Sequence, residues 1–326
     1  PSKEQIINQA FKFHSQGNIL EAAKYYQLFL DKGFIDANVL INYGLICKQI
    51  GQLEKALKLY TKTIELYPKF ANAHHNLGNV LRDLGRPKDA EISIRKSIEL
   101  NPNFANAHAN LGGILIDSGN LKEAEISTRK AIELDPNCPI AHSNLGLILR
   151  DQGKTKEAES SSRKAIELNP NFAGAYSNLG NILRDQGKLE EAAISTRKAI
   201  EINPELADAH SNLGGILRDQ GKLEEAEVSI RKAILINPNH ANAHSNLGGI
   251  LRDMGNLKDA EISTRKAIKL DPDSLIAHAN LGNILRDQGK LEEAISCSKK
   301  IMSINSWSIV GSYSFNYHLK SNSAHN

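Results

Sequence analysis

The chain has 326 residues, of which 40% are hydrophobic, 24% charged and only 5% aromatic. That apolar share excludes disorder of the whole chain, and a net charge of +3 is too small for a nucleic-acid binder, which relies on a dominant basic patch. No apolar run approaches the roughly 18 residues of a membrane span, so membrane insertion is not expected.

The start, Pro1-Ser2-Lys3-Glu4, has no apolar signal core. Cys47, Cys138 and Cys297 lie too far apart for a zinc pair or a disulfide framework. A cytoplasmic protein with three packing cysteines is expected. Length alone suggests two domains, at about 100–200 residues each, but repetition predicts one quasi-linear array.

Pro68, Pro102, Pro136, Pro170, Pro204, Pro238 and Pro272 recur every 34 residues. Gly78 through Gly282 do the same, each closing an Asn-Leu-Gly triplet, and a second glycine series runs from Gly17 to Gly289. Alanines follow that series five residues behind, from Ala22 to Ala294. The frame gives a degenerate unit at 3–36, then eight units: 37–70, 71–104, 105–138, 139–172, 173–206, 207–240, 241–274 and 275–308. Units 173–206 and 207–240 differ at nine positions, so one geometry should repeat.

Each unit reads as two helices. In 173–187, Ala175, Leu179, Ile182 and Leu183 fall at helical spacing, and Gly187 suits the positive φ that commonly ends a helix. A second segment runs from Leu189 to Ile202, with Glu190 and Glu191 early and Arg197 and Lys198 late, as the helix dipole favours. Pro204 cannot continue it. Two short amphipathic helices cannot bury their apolar faces alone, but stacked copies can. In the tail, 309–326, Ile309, Tyr313 and Tyr317 predict a short capping helix before a disordered SNSAHN end.

The period, the Leu-Gly pair, the later Ala and the terminal Pro make 3–308 resemble the tetratricopeptide repeat. The resemblance implies an all-α fold, a right-handed α-solenoid (superhelix) with a concave groove for protein or peptide segments. This chain departs from the family pattern in two ways. His74, His108, His142, His210, His244 and His278 replace an early aromatic, and Thr128, Ser162, Thr196 and Thr264 replace a later one. The phrases AHSNLG and IELNPNFANAH resemble the repeat arm of the O-linked N-acetylglucosamine transferase family, where inner asparagines hold peptide backbone; its catalytic domain has no counterpart here. The resemblance also implies no clamp for a peptide C-terminal carboxylate, because Ser or Ala stands where its lysine would.

On a helical wheel, Asn72, Asn76, Asn79 and Asp83 oppose the apolar face of the first helix in 71–104. The candidate groove residues are Asn76, Asn110, Asn144, Asn178, Asn212, Asn246 and Asn280, with Arg150, Arg184, Arg218, Arg252 and Arg286 alongside. An Asn amide offers the donor and acceptor that a peptide group needs, and Arg suits acidic side chains. Two readings stay open: the rows contact a ligand, or they tie adjacent units together, with each Arg and Asp pairing across units.

Catalysis is not expected, since the sequence has no phosphate-cradling glycine loop, no GxSxG and no HExxH. No cofactor is expected. Histidines about 8–10 Å apart on neighbouring helices cannot share one metal with ligand bonds of about 2 Å, so no metal site is expected either. The function expected is a scaffold for an extended protein segment. The alternatives are a substrate-recruiting arm for a separate catalytic domain, and an array that self-associates end to end.

Overall fold

The computed structural model describes residues 1–304, all of whose regular elements are α-helices. The capping helix and tail expected at 309–326 lie outside the described residues. The chain divides into two compact units, Pro1–Pro170 and Asn171–Asn326, each a stack of antiparallel helical hairpins.

In the first unit the hairpins are α1 (Lys3–Ser15) with α2 (Ile19–Asp31), α3 (Ala37–Gln49) with α4 (Leu53–Leu66), and α5 (Ala71–Asp83) with α6 (Pro87–Leu100). They continue as α7 (Ala105–Asp117) with α8 (Leu121–Leu134), and α9 (Pro139–Asp151) with α10 (Thr155–Leu168). The second unit holds α11 (Ala173–Asp185) with α12 (Leu189–Ile202), and α13 (Ala207–Asp219) with α14 (Leu223–Ile236). It goes on through α15 (Ala241–Asp253) with α16 (Leu257–Leu270) and α17 (Leu275–Asp287), and residues 291–304 are again helical. First helices pack on their own partners and, from α3 to α9 and from α11 to α17, on the next first helix: α5 meets α7 and α7 meets α9, just as α13 meets α15 and α15 meets α17.

The local chemistry of one repeat explains these boundaries. At the end of α11, Gly187 adopts φ +76°, and the Lys188 N–H reaches back to the Leu183 carbonyl at 2.9 Å. That bond satisfies an otherwise open helix-end carbonyl, and the left-handed residue it requires costs glycine least. At the end of α12, Asn203 Oδ1 accepts from the Glu205 N–H at 3.2 Å, forming a turn over Pro204, which has no N–H to offer a continuing helix.

The histidine series closes that same turn. His210 Nε2–H donates to the Pro204 carbonyl at 2.9 Å. The bond recurs from His74 to Pro68 at 3.0 Å, His108 to Pro102 at 2.9 Å and His142 to Pro136 at 2.8 Å. His244 to Pro238 at 3.0 Å and His278 to Pro272 at 2.9 Å complete the set. A carbonyl can only accept, so the proton sits on Nε2. The ring that replaces the family's aromatic thus ties the start of each of these six hairpins to the loop before it.

Inside the hairpins from α5 to α16 the two helices approach closely at the Asn-Leu-Gly glycine. A Cβ on Gly78 would sit 2.6 Å from Ile94 Cγ1 and 3.1 Å from the Ala90 carbonyl. The small plugs of later repeats follow from that closeness. Thr196 and Thr264 are fully buried, and their hydroxyls donate to Ala192 O at 2.9 Å and Ala260 O at 2.8 Å within their own helices. Near the N-terminus, Tyr26, Phe29, Tyr43 and Tyr60 build an aromatic core instead.

Gly78→Ala is expected to destabilise the chain by about 1–3 kcal/mol through overpacking. Gly282→Ala is expected to be neutral or stabilising, because its Cβ would meet only Cys297 Cβ at 3.5 Å and the Ala294 carbonyl at 3.8 Å, while Ala gains helix propensity. Urea melts of the two variants read the contrast.

Candidate peptide-binding face

The face of the first helices that is turned away from the second helices carries the asparagine row. The amides of Asn110, Asn144, Asn212, Asn246 and Asn280 are anchored to the first helix one repeat earlier. Asn212 Nδ2 donates to Ser177 Oγ at 2.9 Å, Asn246 Nδ2 to Ser211 Oγ at 3.3 Å and Asn280 Nδ2 to Ser245 Oγ at 3.0 Å. In the first unit Asn144 Nδ2 reaches the Ala109 carbonyl at 2.8 Å. Ser177, Ser211 and Ser245 are therefore the acceptors that hold neighbouring first helices together. For Asn212, Asn246 and Asn280, the side-chain carbonyl accepts no hydrogen bond among the described residues. An amide is planar, so fixing its N–H also fixes the direction of that free oxygen.

One repeat is built differently. His75 stands where Ser or Ala stands in later units, and Asn110 Nδ2 lies 2.8 Å from both His75 Nε2 and Asn79 Oδ1. The His75 ring packs against Phe104, with centroids 4.7 Å apart. Burial pushes its pKa down to about 4, the bond with Asn76 opposes that shift and the Lys48 charge adds to it. At neutral pH, His75 is a neutral acceptor.

The arginine row is a ladder. Arg184 Nε meets Asp219 Oδ2 at 2.5 Å, Arg218 Nε meets Asp253 Oδ2 at 2.6 Å, and Arg252 Nε meets Asp287 Oδ2 at 2.5 Å. In the first unit Arg82 meets Asp117 at 2.7 Å and Lys48 meets Asp83 at 3.0 Å. Each cation thus pairs with the aspartate one repeat onward, not with the Asp that follows it in sequence, since residues i and i+1 of a helix do not face each other. The guanidinium lies over the next first helix where that helix has a glycine: a Cβ on Gly215 or Gly249 would meet Arg184 or Arg218 Nη1 at 2.8 or 2.6 Å.

Among the other candidates, Arg150 and Asn178 are both engaged. Arg286 comes only within 3.9 Å of Asp287 and is 61% exposed. The sequence carried a signal for the ladder that the helical wheel did not use. Arg and Asp recur as a dipeptide at the 34-residue period from Arg150-Asp151 to Arg286-Asp287, so each Arg of that series from Arg150 to Arg252 has an Asp 35 positions later. Among the described residues no cluster of His, Cys, Asp or Glu has metal-binding geometry, and no helix is long and apolar enough to cross a membrane. All three cysteines are buried free thiols, and burial pushes the Cys138 thiol up, away from nucleophilic character.

Stacked helical hairpins with a polar, repeat-spaced free face define a repeat fold of the protein-interaction scaffold type. A family model described as "Cilia and flagella-associated protein 70 C-terminal domain" matches residues 9–247, and two tetratricopeptide-repeat models match 241–274 and 264–296. The chain belongs to this family of tetratricopeptide-repeat domains. No curated protein sequence matches it.

Among solved structures, the APC/C hetero-tetramer Cut9-Hcn1 superposes with a TM-score of 0.69 at 16% identity, over 86% of this chain and 55% of that one. A tetratricopeptide-repeat protein from Parabacteroides merdae superposes with a TM-score of 0.59 at 21% identity, over 75% of this chain and 97% of that one. The chain thus spans about half the length of the Cut9-Hcn1 chain it matches. At these identities the likeness is one of fold.

The His75 environment gives a pH dependence with a definite sign. A folded pKa near 4 lies below the unfolded value of about 6.5. Its contribution is therefore complete above about pH 6.5 and is lost as pH falls toward 4, by up to about 3 kcal/mol. His75→Ser, which installs the residue of later repeats, is expected to flatten this loss in urea melts between pH 7.5 and 5.

Proposed function

We propose that the free face of the first helices binds an extended segment of a partner protein, with the asparagine row holding its backbone. The observation that carries this reading is the fixed, unused carbonyl of Asn212, Asn246 and Asn280. A group held in place before binding loses little freedom when it binds, which favours affinity. Adjacent first helices lie about 8–10 Å apart and an extended chain advances about 3.3 Å per residue. One Asn therefore meets about every third ligand residue, whatever its side chain.

Asn76, Asn110 and Asn144 stand in the same register of the first unit, and Asn178 in that of the second. Arg184, Arg218 and Arg252 form the floor of this face in the second unit, and their aspartate partners keep them in place; Arg150 stands in the same register of the first unit. Arg286, the exposed end of the row, is the member best placed to take an acidic ligand side chain. The Cut9-Hcn1 assembly is a hetero-tetramer, and the presence of such a fold in a protein complex supports a scaffold rather than a catalyst. Buried free thiols fit work in a reducing compartment such as the cytoplasm.

The test is selection of a displayed random dodecapeptide library on the full chain, followed by affinity measurement with individual peptides. Asn212→Ala with Asn246→Ala is expected to weaken selected peptides about tenfold or more, at roughly one hydrogen bond per site, with the helical circular dichroism unchanged. Unchanged affinity with unchanged helicity would count against the reading.

A further inference from the structure

The Arg/Asp ladder breaks once within the first unit. Ile116 stands one repeat after Arg82, and Leu147 stands one repeat after Gly113. The two changes belong together. The Arg82 guanidinium lies against Gly113, where a Cβ would come 3.2 Å from Nη1. With no arginine at 116, no ladder guanidinium lies over position 147, and a leucine stands there. Ile116 and Leu147 occupy the same register of α7 and α9 as Arg82 and Gly113 do of α5 and α7, and both are half-buried.

The break leaves a carboxylate alone. Asp151 is the counterpart of Asp117, which Arg82 holds at 2.7 Å. Asp151 is exposed and makes no hydrogen bond or ion pair among the described residues. The cations beside it in sequence are occupied: Arg150 is engaged, and Lys154 Nζ is bonded to Gln152 Oε1 at 2.9 Å.

We infer that Ile116, Leu147 and Asp151 form a subsite for an arginine or lysine side chain of the bound protein segment. The ligand's aliphatic stem covers Ile116 and Leu147, as the stems of such residues cover apolar surface elsewhere. Its cation meets Asp151 and takes the place of the missing ladder arginine, with a charge-assisted hydrogen bond as the contact. Arginine is the better occupant, because its planar fork matches a carboxylate. This inference rests on the segment-binding reading and adds to it the residue chemistry wanted at one position.

The experiment selects the same dodecapeptide library on the wild-type full chain, on Asp151→Asn, and on Ile116→Arg with Leu147→Gly, which rebuilds the ladder. Peptides selected on wild type are expected to carry Arg or Lys at one fixed position, and both variants are expected to lose that preference while keeping the rest of the motif and wild-type helicity. For a single selected peptide, changing that residue to Gln is expected to lower wild-type affinity about tenfold and Asp151→Asn affinity less than about twofold. A motif with no basic position, or a basic position indifferent to both variants, would overturn the subsite. If such peptides still depend on Asn110 and Asn144, in the same unit as Asp151, the groove reading survives alone. If the wild-type chain retains no peptide, both readings fall.

Discussion

The contact on which the structure depends is the approach of the two helices of a hairpin at a glycine that, from Gly44 to Gly248, leaves no space for a methyl group. Gly78 against Ile94 and Ala90 shows the constraint directly. Because the helices are so close, the plug between them can shrink from Tyr60 to Thr196 or Thr264, whose hydroxyls are satisfied by their own helices. Low aromatic content therefore does not mean loose packing. It is the composition of a hairpin whose helices nearly touch.

From that hairpin follows a division of labour between repeats. Apolar burial holds each pair of helices, while polar groups set the register from one repeat to the next. His Nε2 ties six of the hairpins to the proline turn before them, Asn Nδ2 reaches back one repeat, and Arg reaches forward one repeat to Asp. The ion pairs are partly exposed, with Arg218 at 29% and Asp253 at 32%, so each contributes only some tenths of a kcal/mol. Their larger effect is to order the floor of the free face. A repeat that departs from the scheme, as at Ile116 and Leu147, changes the chemistry of that floor at one place.

Much of this was legible in the sequence, because glycine and proline act locally. Gly187 and Pro204 mark the ends of α11 and α12 through backbone geometry that needs no knowledge of neighbours. The wheel likewise found the face carrying Asn212 and Arg218. It could not say where those groups point, since a wheel describes one helix and the partners sit on the next. The bond from Asn212 to Ser177 and the pairing of Arg218 with Asp253 are properties of the stack. The histidines are an intermediate case: the six-residue offset from each proline was visible, but its meaning needed the turn that brings ring and carbonyl together.

A second repeat-spaced surface competes for attention, because Ile194, Val228 and Ile262 on the second helices are 67%, 70% and 60% exposed. Selected peptides carrying a photo-reactive leucine at successive positions, cross-linked to the full chain and mapped by mass spectrometry, separate the two faces. Cross-links stepping along the first helices, next to Asn212, Asn246 and Asn280, are the expected result. Cross-links concentrated beside Ile194, Val228 and Ile262 would contradict it.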